Sequence, residues 1–321
     1  MAQTTDHAQL AGLITTSIRK KFIPFLRNKL RFADFAAEGS LTKHGGSKTL
    51  RWNLASKIAA DHTTALTETT TSQNEIATIT ITAVLSTVSE YGAFTKVSSL
   101  GEMAWTRETR SEFAKILAED GARTVDTRLR NIADNTTTFL VSQDTATGGT
   151  TNLLTTKTAI AQDIAVLSGR FNQNDAEGFD SQSGMYVVIV HGKVEQDLVT
   201  DVTTTRLSWS EVNKHVPGLD GQKKIIVGTP GAIYGTMVLR SNNITTKTLT
   251  STVTAYANIA LADHGIGRAG FGAMDPQIIM KSPGPQDTSN PLNTFGTIGW
   301  KAALGEALLD SNRVITYYSA I

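Results

Sequence analysis

The stretch NPLNTFGTIGWKAAL, residues 290–304, holds a turn, two glycines and a tryptophan beside a lysine, but no residue that obviously serves catalysis. Two local rules conflict over its structure. Alternate positions are apolar, as in a β-strand: Ile298, Trp300, Ala302 and Leu304. The overlapping segment KAALGEALL, residues 301–309, has instead the alanine, leucine and glutamate content of a helix. The stretch is therefore structural in character, and its context in the chain has to decide its conformation.

The composition excludes several classes of protein. The chain has 321 residues with 26 Gly and 7 Pro, enough for one elaborate domain or two simple ones. A net charge of +1 argues against binding of polyanions through bulk charge. The absence of cysteine excludes disulfides and thiolate sites and fits a reducing cytosol. With no basic leader before an apolar run and no stretch of about 18 apolar residues, we expect a soluble, untargeted, intracellular chain.

Charged residues make up only 18% of the chain, against roughly a quarter in ordinary soluble domains. Threonine carries much of the polarity instead, as in TTALTETTTS, residues 63–72. Because interface centres are depleted in charged residues, this composition favours a surface that other subunits cover. A threonine-rich β protein with ordinary loops accounts for the composition equally well.

The first 40 residues are interpreted as an N-terminal arm. Apolar residues recur there at helical spacing, interleaved with basic ones: Leu10, Leu13, Ile14, Ile18, Phe22, Phe25 and Leu26, with Arg19, Lys20, Lys21, Arg27 and Lys29. Pro24 interrupts the pattern. Such an arm docks on a neighbour, faces nucleic acid, or is simply a first helix packed on its own core.

Two strand patterns follow, in residues 49–58 and 76–85, which alternate apolar and polar residues. The 17 intervening residues, 59–75, are too many for a tight turn and too polar to bury. We therefore predict a long hairpin that projects from the body. Its exposed edges would promote aggregation unless a partner chain covers them.

The strongest helical pattern runs over residues 105–141, with capping-box spacing between Ser99 and Glu102 upstream. Its apolar positions recur every three or four residues: Phe113, Ile116, Leu117, Val125, Leu129, Ile132, Phe139 and Leu140. At about 1.5 Å per residue this helix would span roughly 50 Å, which favours a structural spine. The Gly/Thr-rich residues 142–152 should end it.

Beyond that point the pattern is mixed α/β. We expect a helix at residues 157–170, an amphipathic turn at 194–202, and strands at 185–190, 223–228, 235–240, 276–283 and 313–320. Residues 256–262 fit either a strand or a helix.

Two segments resemble nucleotide-binding motifs, but the residues around them do not fit the structure that each motif requires. GIGRAG, residues 265–270, satisfies GxGxxG but precedes Pro276 and a short apolar run, not a helix that could present its N-terminus to a pyrophosphate. We interpret it as a glycine-rich turn. HGGSKTL, residues 44–50, lacks the GKS or GKT of a P-loop, and we interpret it as a turn entering the hairpin.

Catalytic and metal-binding patterns are similarly weak. Histidines 7, 44, 62, 191, 215 and 264 show no metal-ligand spacing, and neither HExxH nor GxSxG occurs. His62 and His264 each follow an aspartate, but on a strand such neighbours point to opposite faces, so we expect no dyad. Asp197 and Asp201, with Glu195, could bind a cation, although solvated helix acidity explains them better. We assign no catalytic, cofactor or metal residues.

The order of these parts resembles the major capsid proteins of tailed bacteriophages, with the Hong Kong 97-type fold. The resemblance covers residues from about 41 to the end and is carried by short motifs in a specific order: Leu66-Thr67-Glu68, Tyr91-Gly92, VVIVHGKVEQDLVTD at 187–201, GTPGAIYGTMVLRSNN at 228–243, and Gly299-Trp300-Lys301. Gly192 stands where the family often has proline, and Ser289-Asn290 replace an acidic residue before Pro291.

The resemblance implies a mixed α+β fold with five parts. These are an N-terminal arm (1–40), an E-loop hairpin (41–97), a peripheral-domain spine helix (98–145), an α/β axial domain (146–272) and peripheral-domain C-terminal strands (273–321). It also favours a strand for the opening stretch, which we expect to pair with residues 313–320 after a turn at 310–312. Trp300 would then anchor the peripheral domain.

The resemblance implies a non-enzymatic function and a set of partners. Copies would form hexamers and pentamers of an icosahedral head around double-stranded DNA, in virions assembled in the bacterial cytoplasm, without a membrane. A portal, a separate scaffolding protein and a possible decoration protein are further implied partners. The alternatives are an encapsulin-type compartment holding an enzyme cargo and a threonine-rich surface or adhesin protein.

Overall fold

The computed structural model describes residues 31–42, 46–55, 79–100, 107–143, 157–179, 184–200, 231–250, 253–271, 277–281, 292 and 294–321. Most of the predicted arm, the hairpin insert 59–75 and the predicted strand 223–228 lie outside these ranges. The described helices are α1 (Arg107–Ala133), α2 (Ala161–Gln173) and α3 (Gly192–Thr200). The described strands are β1 (Ala37–Leu41), β2 (Thr49–Ala55), β3 (Ile81–Thr87), β4 (Ser89–Ser98), β5 (Phe139–Val141), β6 (Tyr186–Val190), β7 (Gly231–Ile233), β8 (Thr236–Arg240), β9 (Thr245–Thr250), β10 (Val253–Leu261), β11 (Ile266–Phe271), β12 (Gln277–Lys281), β13 (Phe295–Leu308) and β14 (Val314–Ala320).

The first sheet is organised around β13, which carries the opening stretch. Its strand order is β1-β11-β13-β12, and β4 also pairs with β13. The strand prediction is confirmed, and the reason is burial: Ile298, Trp300, Ala302 and Leu304 all point into one core. Tertiary packing thus overrides the helical propensity of KAALGEALL.

Helix α1 covers the inner face of this sheet through small side chains. Its buried stripe is Ala114, Ala118, Gly121, Ala122, Val125, Leu129 and Ala133. Small residues allow the helix to approach the sheet closely. Ile116, one of the apolar positions of the predicted helical pattern, is 62% exposed.

The predicted helix of 105–141 is too long at its C-terminal end. Helix α1 ends at Ala133, so its 27 residues span about 40 Å. Thr136 donates a side-chain hydrogen bond to the carbonyl of Val314 at 3.1 Å, and Phe139–Val141 form strand β5 parallel to β14. Threonine's competition for backbone groups explains the stop, which apolar periodicity does not reveal.

The second sheet has the order β5-β14-β10-β6-β8-β7, with β9 on β10. Strand β6 is buried at every residue because helices α2 and α3 pack on one face and the first core lies on the other. A continuous apolar strand such as YVVIV is the expected sequence for this position. The ambiguous segment 256–262 lies mostly in strand β10.

Two predictions about strands are wrong. Strand β14 does not pair with β13; it pairs with β10 and β5. The partners of β13 are β4, β12 and β11, and the turn in which Asp310 accepts a hydrogen bond from the Asn312 amide at 2.9 Å leads the chain to the other sheet. GIGRAG is not a turn either, because Ile266–Phe271 form strand β11.

The predicted hairpin strands, 49–58 and 76–85, are confirmed over residues 49–55 and 81–85, while 56–58 and 76–78 lie outside the described ranges. Strands β2 and β3 are antiparallel, from Thr49 opposite Thr87 to Ala55 opposite Ile81. At the base, the Trp52 ring packs over Gly39 and Gly267, where added Cβ atoms would lie 2.8 and 3.1 Å from it. The predicted hairpin range, 41–97, also contains β4, which pairs with β13 in the body.

Candidate assembly surfaces

The outer face of the hairpin presents an exposed apolar row. Opposite residues of an antiparallel pair share a face, and the Leu50, Trp52 and Leu54 side of β2 is half-buried. On the other side Ile81 and Leu85 are 59% and 64% exposed. Isolated exposed hydrophobic residues are ordinary, whereas a row of them on a two-stranded ribbon marks an interaction surface.

A second apolar row crosses the outer face of the first sheet. Phe94 on β4, Gly299 on β13 and Ile279 on β12 lie opposite one another in register. Phe94 is 69% and Ile279 39% exposed. They line a shallow groove of about 320 Å³ that also includes Gly92 and Lys301.

The floor of this groove is flat because Gly299 has no side chain. A Cβ atom there would lie 2.8 Å from the carbonyl oxygen of Ala93 and 2.8 Å from the Cβ of Phe94. Such contacts are too close for any larger residue. Gly299 is therefore fixed by the packing of β4 against β13.

Lysines flank the groove on both sides. Lys96 and Lys281 lie in register with Thr297, two residues along β13 from the apolar row and on the same face. Lys301 lies on the other side and binds Glu90 at 2.8 Å, while the Lys96 ammonium is 4.6 Å from the centroid of the Phe295 ring. Within the described ranges, neither Lys96 nor Lys281 forms an ion pair with a carboxylate.

Trp300 anchors the opposite, inner face of the same strand. Its side chain is almost fully buried, and its Nε1 donates a hydrogen bond to Asp120 Oδ2 at 2.7 Å. A Cβ at Gly121 would lie 3.2 Å from the indole, a tight contact, so glycine lets the helix approach Trp300 closely. The expectation that Trp300 is a packing anchor is confirmed.

Asp126 joins three separate parts of the molecule. Its Oδ1 accepts hydrogen bonds from the backbone amides of Arg31 and Phe32 at 2.8 and 3.0 Å. Its Oδ2 accepts from Asn243 Nδ2 at 2.8 Å, and Arg130 donates to Asn243 Oδ1 at 2.8 Å. The carboxylate, which is buried, thus holds together residues 31–32 of the predicted arm, helix α1 and the loop before β9.

Asp163 is the centre of a buried polar network in the second sheet. It accepts hydrogen bonds from the Ser142 and Tyr317 hydroxyls, both at 2.8 Å, and from the amides of Gln143 and Ile160 at 3.0 and 3.2 Å. Burial raises the pKa of the Asp163 carboxyl, although these four hydrogen bonds act in the opposite direction. Burial, together with the nearby Asp163 carboxylate, also raises the pKa of Tyr317 well above its usual range.

The remaining titratable candidates have ordinary partners. Asp197 binds Lys193 at 2.7 Å, one helical turn away, and Glu195 lies 3.7 Å from Arg240. Asp201 is outside the described ranges. No group of three or more potential metal ligands occurs among the described residues.

The expectation that Asp263 and His264 form no dyad, which assumed a strand at this position, is wrong. Asp263 Oδ2 and His264 Nδ1 are 2.7 Å apart. The pair lies in the turn before β11, where His264 has a φ of 57°, so the strand argument does not apply. Both are surface residues of this turn, and sequence spacing alone could not predict its backbone.

Of the helices that the structure describes, none is long and apolar enough to span a bilayer.

Comparison with known proteins gives matches through structure alone. No family model matches the chain, and no curated protein matches it. The capsid of Ralstonia phage GP4 has a TM-score of 0.66 at 11% identity, covering 91% of both chains. The cyanophage Pam1 capsid has a TM-score of 0.64 at 12% identity, covering 94% of this chain and 92% of the other. The capsid of cyanophage P-SCSP1u has a TM-score of 0.60 at 12% identity, covering 90% and 88%. The chain therefore has the fold of these phage capsid proteins, as the sequence motifs indicated.

Proposed function

We propose that this chain is a structural, non-enzymatic major capsid protein whose copies assemble into the icosahedral head that encloses double-stranded phage DNA. The observation that carries the proposal is the shared fold, which extends over at least 90% of the chain in each of the three capsids compared. This extent of the match supports the same role for the chain.

The described surfaces support assembly of copies through different faces. The exposed row on the hairpin and the groove on the first sheet are distinct apolar surfaces, and both lack a cover among the described residues. Contacts between different faces close into rings of subunits. The low content of charged residues, 18%, fits a surface largely enclosed by neighbours.

We further propose the Hong Kong 97-type division of the chain. In this division the hairpin is the E-loop, helix α1 is the spine of the peripheral domain, and residues 146–272 form the axial domain at the centre of each hexamer or pentamer. A portal, a separate scaffolding protein and a possible decoration protein would complete the head, assembled in the bacterial cytoplasm. The basic arm would face the DNA through sequence-independent attraction.

The proposal is tested by expressing the chain and imaging it by negative-stain electron microscopy. We expect closed icosahedral shells from the natural sequence. Leu85→Lys places a charge on the exposed row and should abolish shells without lowering the melting temperature of the subunit, because the site is solvent-exposed in the monomer. The matched variant Leu85→Ile should assemble normally. A natural chain that stays monomeric under all assembly conditions would refute the proposal.

A further inference from the structure

A buried cluster of oxygen atoms joins two strands of the second sheet to the helix that covers it. Asp163 lies in the first turn of α2, Ser142 directly follows β5, and Tyr317 lies on β14. Each of the three residues is at most 4% exposed. Because buried polar atoms require hydrogen-bond partners, the contacts of this cluster indicate where its hydrogen atoms lie.

The contacts in the cluster outnumber the hydroxyl hydrogens. Ser142 Oγ lies 2.7 Å from the carbonyl oxygen of Thr158 and 2.8 Å from Asp163 Oδ2. Tyr317 OH lies 2.8 Å from the same Asp163 Oδ2. All three distances are typical of hydrogen bonds between oxygen atoms, but Ser142 and Tyr317 supply only one hydrogen each. An ionised Asp163 would therefore leave one contact without a hydrogen.

A proton on Asp163 supplies the missing hydrogen. Asp163 Oδ2 then donates to Ser142, Ser142 donates to Thr158, and Tyr317 donates to Asp163, so that each contact contains one hydrogen. The hydrogen bond between Ser142 and Asp163 runs in the opposite direction when the carboxylate is ionised. The backbone amides of Gln143 and Ile160 donate to the carboxyl oxygens in either state.

The charged groups near Asp163 do not neutralise it. Lys157 on the adjoining segment and Arg170 on α2 form no ion pair with it, and neither does any other described cation. Asp197 on α3 adds a second carboxylate, whose charge acts on Tyr317. Burial raises the pKa of the Asp163 carboxyl, whereas the N-terminus of α2 and the two backbone amides favour the ionised form. Without a cation, a proton is the remaining means of neutralising the buried carboxylate.

We propose that Asp163 is protonated at neutral pH and that its proton determines which acceptor the Ser142 hydroxyl binds. While the proton is present, Ser142 donates to the carbonyl of Thr158. When the proton is lost to solvent, the carboxylate becomes the stronger acceptor and takes the Ser142 hydrogen. The link between β5 and Thr158 then depends on Gln143 Nε2, which lies 2.9 Å from the same carbonyl.

The segment that contains Thr158 also contacts the last strand. The carbonyl of Lys157 accepts a hydrogen bond from the Ala320 amide at 3.1 Å. Loosening of Thr158 from β5 should therefore be felt at the end of β14. The inference assigns to Asp163 a switch that opens as the pH rises, and it does not depend on the assembly of copies.

Infrared spectroscopy of the isolated subunit tests the protonation state, because a neutral carboxyl group and a carboxylate absorb at different frequencies. At pH 7 we expect the natural chain to show a neutral carboxyl signal that is missing from Asp163→Asn. Asp197→Asn should keep the signal. If Asp163→Asn does not fold, carbon-13 NMR of the natural chain assigns the titration to Asp163 directly. An ionised Asp163 at pH 7 would overturn the inference.

The direction of the hydrogen bond is tested by Ser142→Ala. In the proposed arrangement Ser142 accepts from the neutral carboxyl, so its removal should lower the pH at which Asp163 loses its proton by about one unit, a tenfold weaker proton affinity. If Ser142 donates to a carboxylate, the same change raises that pH and the inference is wrong. Ser241→Ala removes another buried hydroxyl, directly after β8, and should leave the titration unchanged.

Hydrogen exchange at the Ala320 amide tests the switch. As the pH passes the titration of Asp163, exchange in the natural chain should accelerate about tenfold beyond its intrinsic increase, since one hydrogen bond of the segment is lost. Asp163→Asn keeps an amide hydrogen for Ser142 at every pH, so it should follow the intrinsic increase alone. The same pH dependence in both chains would overturn the inference. Because the measurements are made on isolated subunits, such a failure would leave the proposed function in place.

Discussion

Strand alternation gives the three residues of Gly299-Trp300-Lys301 different tasks. Trp300 points inward to helix α1, whereas Gly299 and Lys301 lie on the outer face with the groove. The inner contact requires a tryptophan because the indole both fills space beside Gly121 and donates to Asp120. The outer position of Gly299 requires a glycine because Ala93 and Phe94 leave no room for a Cβ.

Removing the indole should destabilise the subunit. Trp300→Ala is expected to lower the free energy of unfolding by about 3–5 kcal/mol, since the cavity sits between the helix and the sheet. Trp300→Phe keeps an aromatic ring, so it leaves a smaller cavity and loses the hydrogen bond to Asp120, which is exposed; it should therefore cost less than Trp300→Ala. Urea denaturation of the isolated subunit measures both. Equal stability of Trp300→Ala and the natural chain would show that the tryptophan carries no packing energy.

The Asp163 network should make stability depend on pH. Because burial raises the pKa of this carboxyl in the folded state, the folded chain binds its proton more tightly than the unfolded chain. The associated stability is present below the unfolded pKa, near 3.8, and is lost as pH rises through the raised folded pKa. Asp163→Asn has no carboxyl that could bind this proton. The free energy of unfolding of the natural chain, relative to that of Asp163→Asn, should therefore increase as the pH falls from 7 to 4.

Urea titrations of both chains across that range measure the effect. The other carboxyl groups titrate in both proteins, so their contributions cancel when the two free energies of unfolding are subtracted. If the difference in free energy of unfolding between the natural chain and Asp163→Asn became smaller on acidification, the four hydrogen bonds would outweigh burial and the pKa of Asp163 would be lowered.

At the scale of elements, the contact between α1 and the first sheet is set by small side chains. The residues that face the sheet are mostly alanine and glycine, which allow close approach and leave little space for additional atoms. The helix is fixed to β13 at a second point by the ion pair between Arg128 and Glu306, and the Arg128 guanidinium lies 4.2 Å from the Tyr91 ring centroid.

Enlarging one buried alanine should disrupt this contact. Ala122→Leu is expected to cost about 1–3 kcal/mol through overpacking. The neighbouring variant Arg123→Leu adds a leucine on the exposed side of the same helical turn and should change stability by about 0.5 kcal/mol or less. Thermal unfolding of both variants gives the comparison. Similar melting temperatures for the two would contradict close packing at Ala122.

Strands were predictable where the pattern was strong, and helix ends were not. Alternation located β2 and β3, and the apolar run YVVIV located β6, because both patterns arise directly from burial. The alanine stripe of α1 was missed because alanine gives little hydrophobic contrast, whereas Ile116, which the apolar pattern included, faces solvent. The pairing of β14 with β10 was not predictable, since local sequence does not encode which distant strand lies alongside.

The assembly surfaces were only partly visible in the sequence. The alternation of Ile79, Ile81 and Leu85 was recognised, but the exposed side of the hairpin became clear only from its register with β2. The groove required three strands from distant parts of the chain to bring Phe94, Gly299 and Ile279 together. A surface built from distant strands cannot be predicted from any local sequence motif.

At the scale of the whole molecule, Asp126 connects regions that are far apart in sequence. Its three direct hydrogen bonds come from residue 31, residue 32 and residue 243. The backbone at residues 31–32, near the C-terminal end of the predicted arm, is thereby tied to α1 and to the second sheet. Because a buried carboxylate without these donors would be costly, the three parts are expected to hold their arrangement together.

Removing this carboxylate should release the segment around residue 31. Asp126→Ala leaves the amides of Arg31 and Phe32 without their acceptor and is expected to cost about 2–4 kcal/mol. Hydrogen exchange at these two amides should accelerate more than exchange in β13. Glu119→Ala, an exposed change on the same helix, should leave exchange at Arg31 and Phe32 unaltered. If the amides of Arg31 and Phe32 exchanged no faster in Asp126→Ala than in the natural chain, the proposed role of Asp126 in holding this segment would be refuted.

The junction between hairpin and body also determines how the molecule bears mechanical load. Strand β3 passes through the single residue Val88 into β4, and ten residues of β4 pair with β13. Backbone hydrogen bonds in such a pair run perpendicular to the strands, so tension applied along the hairpin loads them together in shear and does not peel them apart one by one. A force applied through the hairpin is therefore distributed over the hydrogen bonds that join β4 to β13, the central strand of the first sheet.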